Sequence, residues 1–338
     1  MKKVLGLGNA LVDIMTQLDH DDYLSAFELP KGSMILVDAR RSHKIYDDTI
    51  HLQKTVRSGG SAANTIHGLA NLGVETGFIG KIGRDEMGKV FHDDMITAGI
   101  NTHLSQDDTA TGRAIALISP DTERTFATYL GAAVELNRND LSRETFSQYD
   151  FFHIEGYIVQ NHSLLESALK MARDCRMTIS LDLASYNVVA ENRDFLEEMI
   201  RKYVDITFAN EDEARYLTGL EPEEALEVLA GMCEIAVVKV GREGSIVGSR
   251  QSAVGSRQSA VGSRQIKIGV IPVKSVDTTG AGDLYASGFL YGLANGYDLE
   301  KCGRIGAVAA GKVIEMIGPK LNDQKWREVR DFIRFNIL

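Results

Sequence analysis

Four short runs decide the fold: FFHIE at 151–155, TISLDL at 178–183, VDITFA at 204–209 and IAVVKV at 235–240. Each is brief, apolar and rich in β-branched or aromatic residues, as suits a strand buried on both faces. The intervening stretches, 161–174, 192–202 and 211–232, are long enough for crossover helices. This βαβα rhythm predicts an α/β protein with a mostly parallel sheet covered by helices on both sides.

Toward the N-terminus, MKKVLGLGNALVDI reads as a first core strand. Ser61–Leu72 has helical character, with Gly73 as its C-terminal cap. Arg113–Ile118 and Arg124–Leu130 flank Ser119-Pro120-Asp121-Thr122, so they are expected to form a hairpin. With part of 14–50 this hairpin would build a small antiparallel sheet beside the main domain, or else edge the main sheet. At 248–265 the heptapeptide GSRQSAV occurs twice and begins a third time. It is too small to bury a core and has no apolar seam, so an exposed hairpin tip is expected there.

Composition excludes several classes. The 338 residues include 37 Lys+Arg against 47 Asp+Glu, for a formal net charge of −10. An acidic balance disfavours nucleic acid as the main partner, because phosphate backbones need a basic face. Cys175, Cys233 and Cys302 lie far apart, which fits a reducing compartment. Asn9 and Asp13 interrupt the first apolar run, so no signal peptide or membrane anchor is expected and the protein reads as cytoplasmic. The eight histidines show no HxxxH or HExxH spacing, so a transition-metal site has little support.

Two glycine-rich segments imitate phosphate sites. Gly6-Leu7-Gly8-Asn9-Ala10-Leu11 begins like a dinucleotide fingerprint, but Leu11 replaces the third glycine. Gly306 to Val313 resembles a P-loop, yet Val313 lacks the hydroxyl that would ligate magnesium, and the Ala-rich run reads as mid-helix. Asp277-Thr278-Thr279-Gly280-Ala281-Gly282-Asp283 is different. Small residues there let backbone N–H groups crowd round an anion at the start of a helix. Asp283 would stand in the first turn, as a simple capping acid or as a base beside that anion hole. Gly59-Gly60-Ser-Ala-Ala-Asn64 offers a second glycine turn opening a helix, and Asn64 supplies both a donor and an acceptor. Asp13 follows the first strand, at the end of the sheet that usually faces a ligand.

Taken together the chain resembles the ribokinase/PfkB family of sugar and nucleoside kinases over essentially its full length. DTTGAGD with Ser287-Gly288-Phe289-Leu290 matches the family's C-terminal signature, and Gly59-Gly60 through Asn64 its N-terminal one. Asn210-Glu211-Asp212-Glu213 matches its NxxE motif and Gly83-Arg-Asp-Glu-Met-Gly88 its GxDxxG element. The resemblance implies one ribokinase-like three-layer α/β/α domain over 1–338, with a small β lid from roughly 14–50 and 110–131. It implies ATP and Mg²⁺ as cofactors, and a sugar or nucleoside acceptor bound by a monomer or homodimer. Asp283 would be the base, and Gly280, Ala281 and Gly282 the anion hole. Asn9, Asp13, Gly59, Gly60, Asn64 and Glu155 would hold the acceptor, Glu155 being as readily a buried structural carboxylate. Asn210, Glu213, Lys239, Gly241 and Gly244 would serve ATP and Mg²⁺. Asp277 and the Thr279 carbonyl match positions that bind a monovalent cation in many members, so K⁺ is a further candidate.

Members often carry an Asn near the nucleotide where Gly306 stands here. The opening GNALVD, with Thr122–Thr125 and Tyr129–Ala133, is similar to adenosine kinases, so adenosine is the leading acceptor. Ribose, fructose or a deoxysugar acid are the alternatives within the family. Outside it stand a non-catalytic sensor and a nicotinamide-dependent oxidoreductase.

Overall fold

The computed structural model describes residues 2–250 and 265–337. Among them the strands are, in chain order, β1 (Val4–Leu7), β2 (Leu11–Gln17), β3 (Met34–Leu36), β4 (Lys54–Gly59), β5 (Thr76–Gly83), β6 (Asn101–Asp107) and β7 (Thr111–Ile118). There follow β8 (Arg124–Gly131), β9 (Phe151–Glu155), β10 (Thr178–Asp182), β11 (Ile206–Asn210), β12 (Ile235–Lys239), β13 (Ser245–Ser249) and β14 (Ile266–Ile268).

The main sheet has the order β14-β13-β12-β11-β10-β9-β1-β5-β6. From β12 to β6 every neighbour is parallel, and only the β12–β13 and β13–β14 pairs are antiparallel. Alternate residues of the strands enter different cores. Phe152, Ile154, Ile179 and Leu181 pack with helices His162–Asp174, Arg193–Tyr203 and Pro222–Met232. Phe151, Phe208 and Val237 pack on the other side with helices Ser61–Asn71, Glu86–Thr97 and Ala281–Ala294. The result is a three-layer sandwich, as the doubly buried strands require.

The stretch 211–232, expected as one helix, is two: Glu211–Thr218 and Pro222–Met232. Gly219 closes the first in the left-handed region (φ +78°) and Pro222 opens the second, the usual asymmetry of helix ends. The Gly306–Val313 stretch lies inside helix Leu299–Val313. There Gly306 lets helix Ala281–Ala294 approach closely, since a Cβ on Gly288 would stand 2.8 Å from the Gly306 Cα.

A second sheet has the order β3-β8-β7-β2-β4. It is mixed rather than wholly antiparallel. β2–β4 and β7–β8 are antiparallel, whereas β2–β7 and β3–β8 are parallel. The parallel pairs arise because β2 and β3 come from the first 40 residues and dock beside the later hairpin. The chain passes between the sheets through 8–10, Gly60 and 108–110. Residues 251–264 of the repeat, where the exposed tip was expected, fall outside the described residues, and the segments bordering them pair as β13 and β14.

Candidate active site

The parallel strands β9 to β12 end on Glu155, Asp182, Asn210 and Lys239. Four successive strands thus finish on polar or charged residues at the edge of the sheet where ligands collect. A cleft of about 1250 Å³ opens there. Its other walls are the start of helix Ala281–Ala294, the Gly60–Asn64 turn, and the face of the small sheet carrying Leu11, Asp13, Ala114, Phe126, Thr128 and Leu130.

Asp283 and the N-terminal glycine turn meet directly. Ser61 donates to Asp283 Oδ1 (2.7 Å), Asn64 Nδ2 to Oδ2 (3.0 Å), and Thr65 Oγ1 to the Asp283 carbonyl (3.2 Å). Residues 218 to 222 positions apart in sequence therefore share one pocket. Burial pushes the Asp283 pKa up to about 6, with nearby Asp182 adding to it, while bonds from Asn64 and Ser61 and the Lys239 charge pull it back. Asn64 Oδ1 is buried without a partner, a free acceptor beside the carboxylate.

Gly280 is the left-handed cap of the helix (φ +75°), and a Cβ there would strike Pro319 at 2.5 Å. The Ala281 amide is engaged by the Thr278 carbonyl at 3.2 Å. Of the three expected anion-hole residues, Gly282 is left with a free first-turn amide, joined by that of Asp283. Lys239 Nζ lies 3.1 Å from where a Gly282 Cβ would be and pairs with Asp182 at 2.9 Å. A fixed cation thus flanks the helix N-terminus, where anions are favoured.

Asp13 sits on β2 opposite Arg57 of β4. Gly59 makes room for it, since a Cβ there would lie 2.2 Å from the Asp13 carboxyl. Burial raises Asp13 to about 7, Lys320 lowers it and Asp283 raises it further. Lys320 is itself buried, its Nζ 2.5 Å from both Ser58 Oγ and Asp94. Gly60 adopts φ +98°, and a Cβ would meet the Asn9 carbonyl at 2.2 Å. Glu155 accepts from the Asn9 amide and Asn9 Nδ2 through Oε1 and from the Ala62 amide through Oε2, each at 2.8 Å. Its carboxylate ties the 8–10 crossing to the helix behind it, and burial pushes its pKa up to about 7.

Asn210 and Glu213 form a reciprocal capping box. Asn210 accepts from the Glu213 amide (2.8 Å), and Glu213 accepts from the Asn210 amide and side chain (2.8 and 2.7 Å). Burial raises Glu213 to about 7. Both line the cleft with Gly241 and Gly244, whereas Gly59, Asp277 and Gly280 stand behind its wall. Among the described residues, no group of three or more His, Cys, Asp or Glu is placed to hold a metal, and no helix is long and apolar enough to cross a membrane.

Sequence reading missed Ser61, Asp182 and Lys320. Asp182 had a signal, the last polar residue of a buried strand. Lys320 had none, because its partners lie 226 and 262 positions away.

Residues 32–326 match the pfkB family carbohydrate kinase. The chain belongs to that family. As a pfkB-family kinase it is a phosphotransferase acting on a sugar or nucleoside hydroxyl, and kinases of this family use ATP, typically with Mg²⁺. An uncharacterized sugar kinase of Archaeoglobus fulgidus is 30% identical over 75% of this chain and 96% of its own. The 5-dehydro-2-deoxygluconokinase of Geobacillus thermodenitrificans is 29% identical over 82% and 84%. The adenosine kinase of Sinorhizobium meliloti superposes with a TM-score of 0.84 at 33% identity, over 98% of this chain and 99% of its own. The pfkB-family fold accounts for both sheets and leaves the acceptor to be argued from the cleft.

Proposed function

We propose that this kinase transfers the γ-phosphoryl group of ATP to the primary hydroxyl of a ribonucleoside of the adenosine type, with Asp283 as general base. The observation that carries the nucleoside is the apolar lid face. Met34 and Leu36 are each 60% exposed, and with Phe126, Leu130 and Tyr157 they line the cleft beyond Asp13. A free sugar has no flat apolar surface for such a wall, whereas a purine ring does. The cleft floor meanwhile offers hydroxyl partners: Asp13 as acceptor, and Asn64 with its unpartnered Oδ1.

The donor side fits a nucleotide. Gly241 and Gly244, with Val270, Ile271, Ala307, Ala310 and Gly311, line a small-residue channel beside the charged strand ends. Lys239 and the free amides at Gly282 and Asp283 would hold developing negative charge. Mg²⁺, when bound with ATP, supplies charge neutralisation between the phosphates, and the end of the cleft with the carboxyl groups of Asp182 and Glu213 and the amide of Asn210 would suit it through water. Asp283, raised to about 6, would be ionised at neutral pH and so able to accept the hydroxyl proton.

A second reading rests on a smaller cavity of about 250 Å³ beside Asp13, lined by Lys54, Arg57 and Lys320. Its cations suit an acidic sugar such as the substrate named for the deoxygluconokinase relative. ADP release measured in parallel against nucleosides, neutral monosaccharides and sugar acids decides. Adenosine or a close analogue is expected to show the highest kcat/KM; a sugar acid faster by about tenfold, some 1.4 kcal/mol at the transition state, overturns the nucleoside assignment.

A further inference from the structure

The loop ahead of the anion hole carries a charge arrangement that the catalytic reading does not use. The Asp277 side chain is fully buried, and both of its oxygens are engaged. Oδ1 accepts from the Thr279 amide (2.8 Å) and Oδ2 from the Gly318 amide (2.6 Å). Oδ1 also faces Arg124 Nη1 at 2.7 Å, and the Arg124 side chain is only 12% exposed. The guanidinium Nε and Nη2 are buried without a hydrogen-bond partner, and Asp277 is the anion with which Arg124 forms an ion pair among the described residues. The 276–277 backbone is clamped besides, both amides donating to the Ile314 carbonyl. Arg124 is the first residue of β8, at the turn end of the β7–β8 hairpin where it pairs with Ile118, so this cation belongs to the small sheet and not to the loop it neutralises.

The family resemblance places a monovalent cation at Asp277 and the Thr279 carbonyl. The residues present do not fit one. An ion on Oδ1 would share that oxygen with a guanidinium already at hydrogen-bonding distance, and two cations so close in a buried site repel strongly. We propose that the Arg124 guanidinium is a built-in replacement for the monovalent cation, so that the kinase needs no K⁺ and the charge beside its anion hole is delivered by the lid. This rests on the Asp277–Asp283 loop being the phosphoryl-transfer loop.

The test compares wild type, Arg124→Ala and Arg124→Gln in KCl, guanidinium chloride at low concentration and choline chloride at matched ionic strength. Turnover is read by ADP release and ion binding independently by melting temperature. Wild type is expected to turn over within about twofold in KCl and choline chloride, with no K⁺-specific rise in melting temperature. Arg124→Gln keeps a shorter hydrogen-bonding side chain and loses the charge. It is expected to lose about tenfold or more in kcat/KM and to recover several-fold with K⁺ or guanidinium, which also raise its melting temperature. Arg124→Ala should behave alike; if it fails to fold, Arg124→Gln and wild type still decide. Wild-type activation by K⁺ of about fivefold or more, or a K⁺-specific rise in its melting temperature, overturns the proposal. So does a folded Arg124 variant indifferent to both ions. Absence of turnover in every ion would instead count against the kinase loop, and the melting arm would still report on the ion.

Discussion

At the scale of single residues, the cleft depends on carboxylates held away from their ordinary ionisation. Asp283→Asn keeps the size of the side chain and removes the carboxylate proposed as the base. It is expected to bind ATP and melt within a few degrees of wild type while kcat falls by about 10²–10⁴; a rate near wild type would remove Asp283 from that role. In wild type, kcat should rise with pH through about 6 and then level, because the protonated acid cannot accept a proton. Lys320→Met should raise the acceptor KM more than it lowers kcat and move the acid limb of kcat/KM to higher pH, since Lys320 holds Asp13 down. Lys320→Arg should restore both, which a merely packing role would not explain. The same carboxylates set a stability trend. Asp13, Glu155, Glu213 and Asp283 are all raised by burial, so the native state keeps protons that the unfolded chain has released. Their contribution is fully present below about pH 4 and is lost as pH rises through about 6 to 7. Melting of the ligand-free protein should accordingly show a falling temperature between about pH 5 and 7.5.

At the scale of elements, the turns into the helices are the sensitive points. Gly60→Ala must hold a left-handed backbone and overlaps the Asn9 carbonyl. A loss of about 2 kcal/mol or more is expected, of which about 1–3 is the backbone alone, since φ +98° with ψ 141° is open essentially to glycine. Gly219→Ala, in the left-handed helical well at φ +78° with open space around it, carries a backbone cost without a clash and should lose about 1–2 kcal/mol. Equal urea midpoints for the two variants would mean that the Asn9 contact carries nothing. Elements with strong periodicity were legible before any coordinates: β9 to β12, the helix at 61–71 and the 113–130 hairpin stand within a residue or two of their expected bounds. The break at Gly219–Pro222 is marked in the sequence by its glycine and proline, yet the apolar spacing continues across it and masks it. The parallel pairing of β2 with β7 was not legible, since nothing local in either strand says which distant edge it will meet.

At the scale of the whole molecule, the site is assembled by contacts that sequence spacing cannot rank. Asp283 and Asn64 carried recognisable motifs, but Asp182 with Lys239 and Lys320 with Asp94 are ordinary ion pairs until the fold brings them to one edge. The two sheets contribute different halves: Asp13 and the apolar wall from the small one, Asp283, Lys239 and the helix N-terminus from the large one. Ligands that occupy both halves should therefore slow amide exchange in β2, β3, β4, β7 and β8 while β9 to β12 stay as they were. Equal slowing in both sheets would mean that the small sheet does not move as a unit.

The short crossing at 8–10 has one more consequence. It leaves only three residues between the last rung of the large sheet and the first rung of the small one, two positions before Asp13. An acceptor gripping Asp13 at one end and Asp283 at the other would draw the sheets together like a drawstring. Water, with nothing to span that gap, would leave the purse open and the phosphoryl donor unspent.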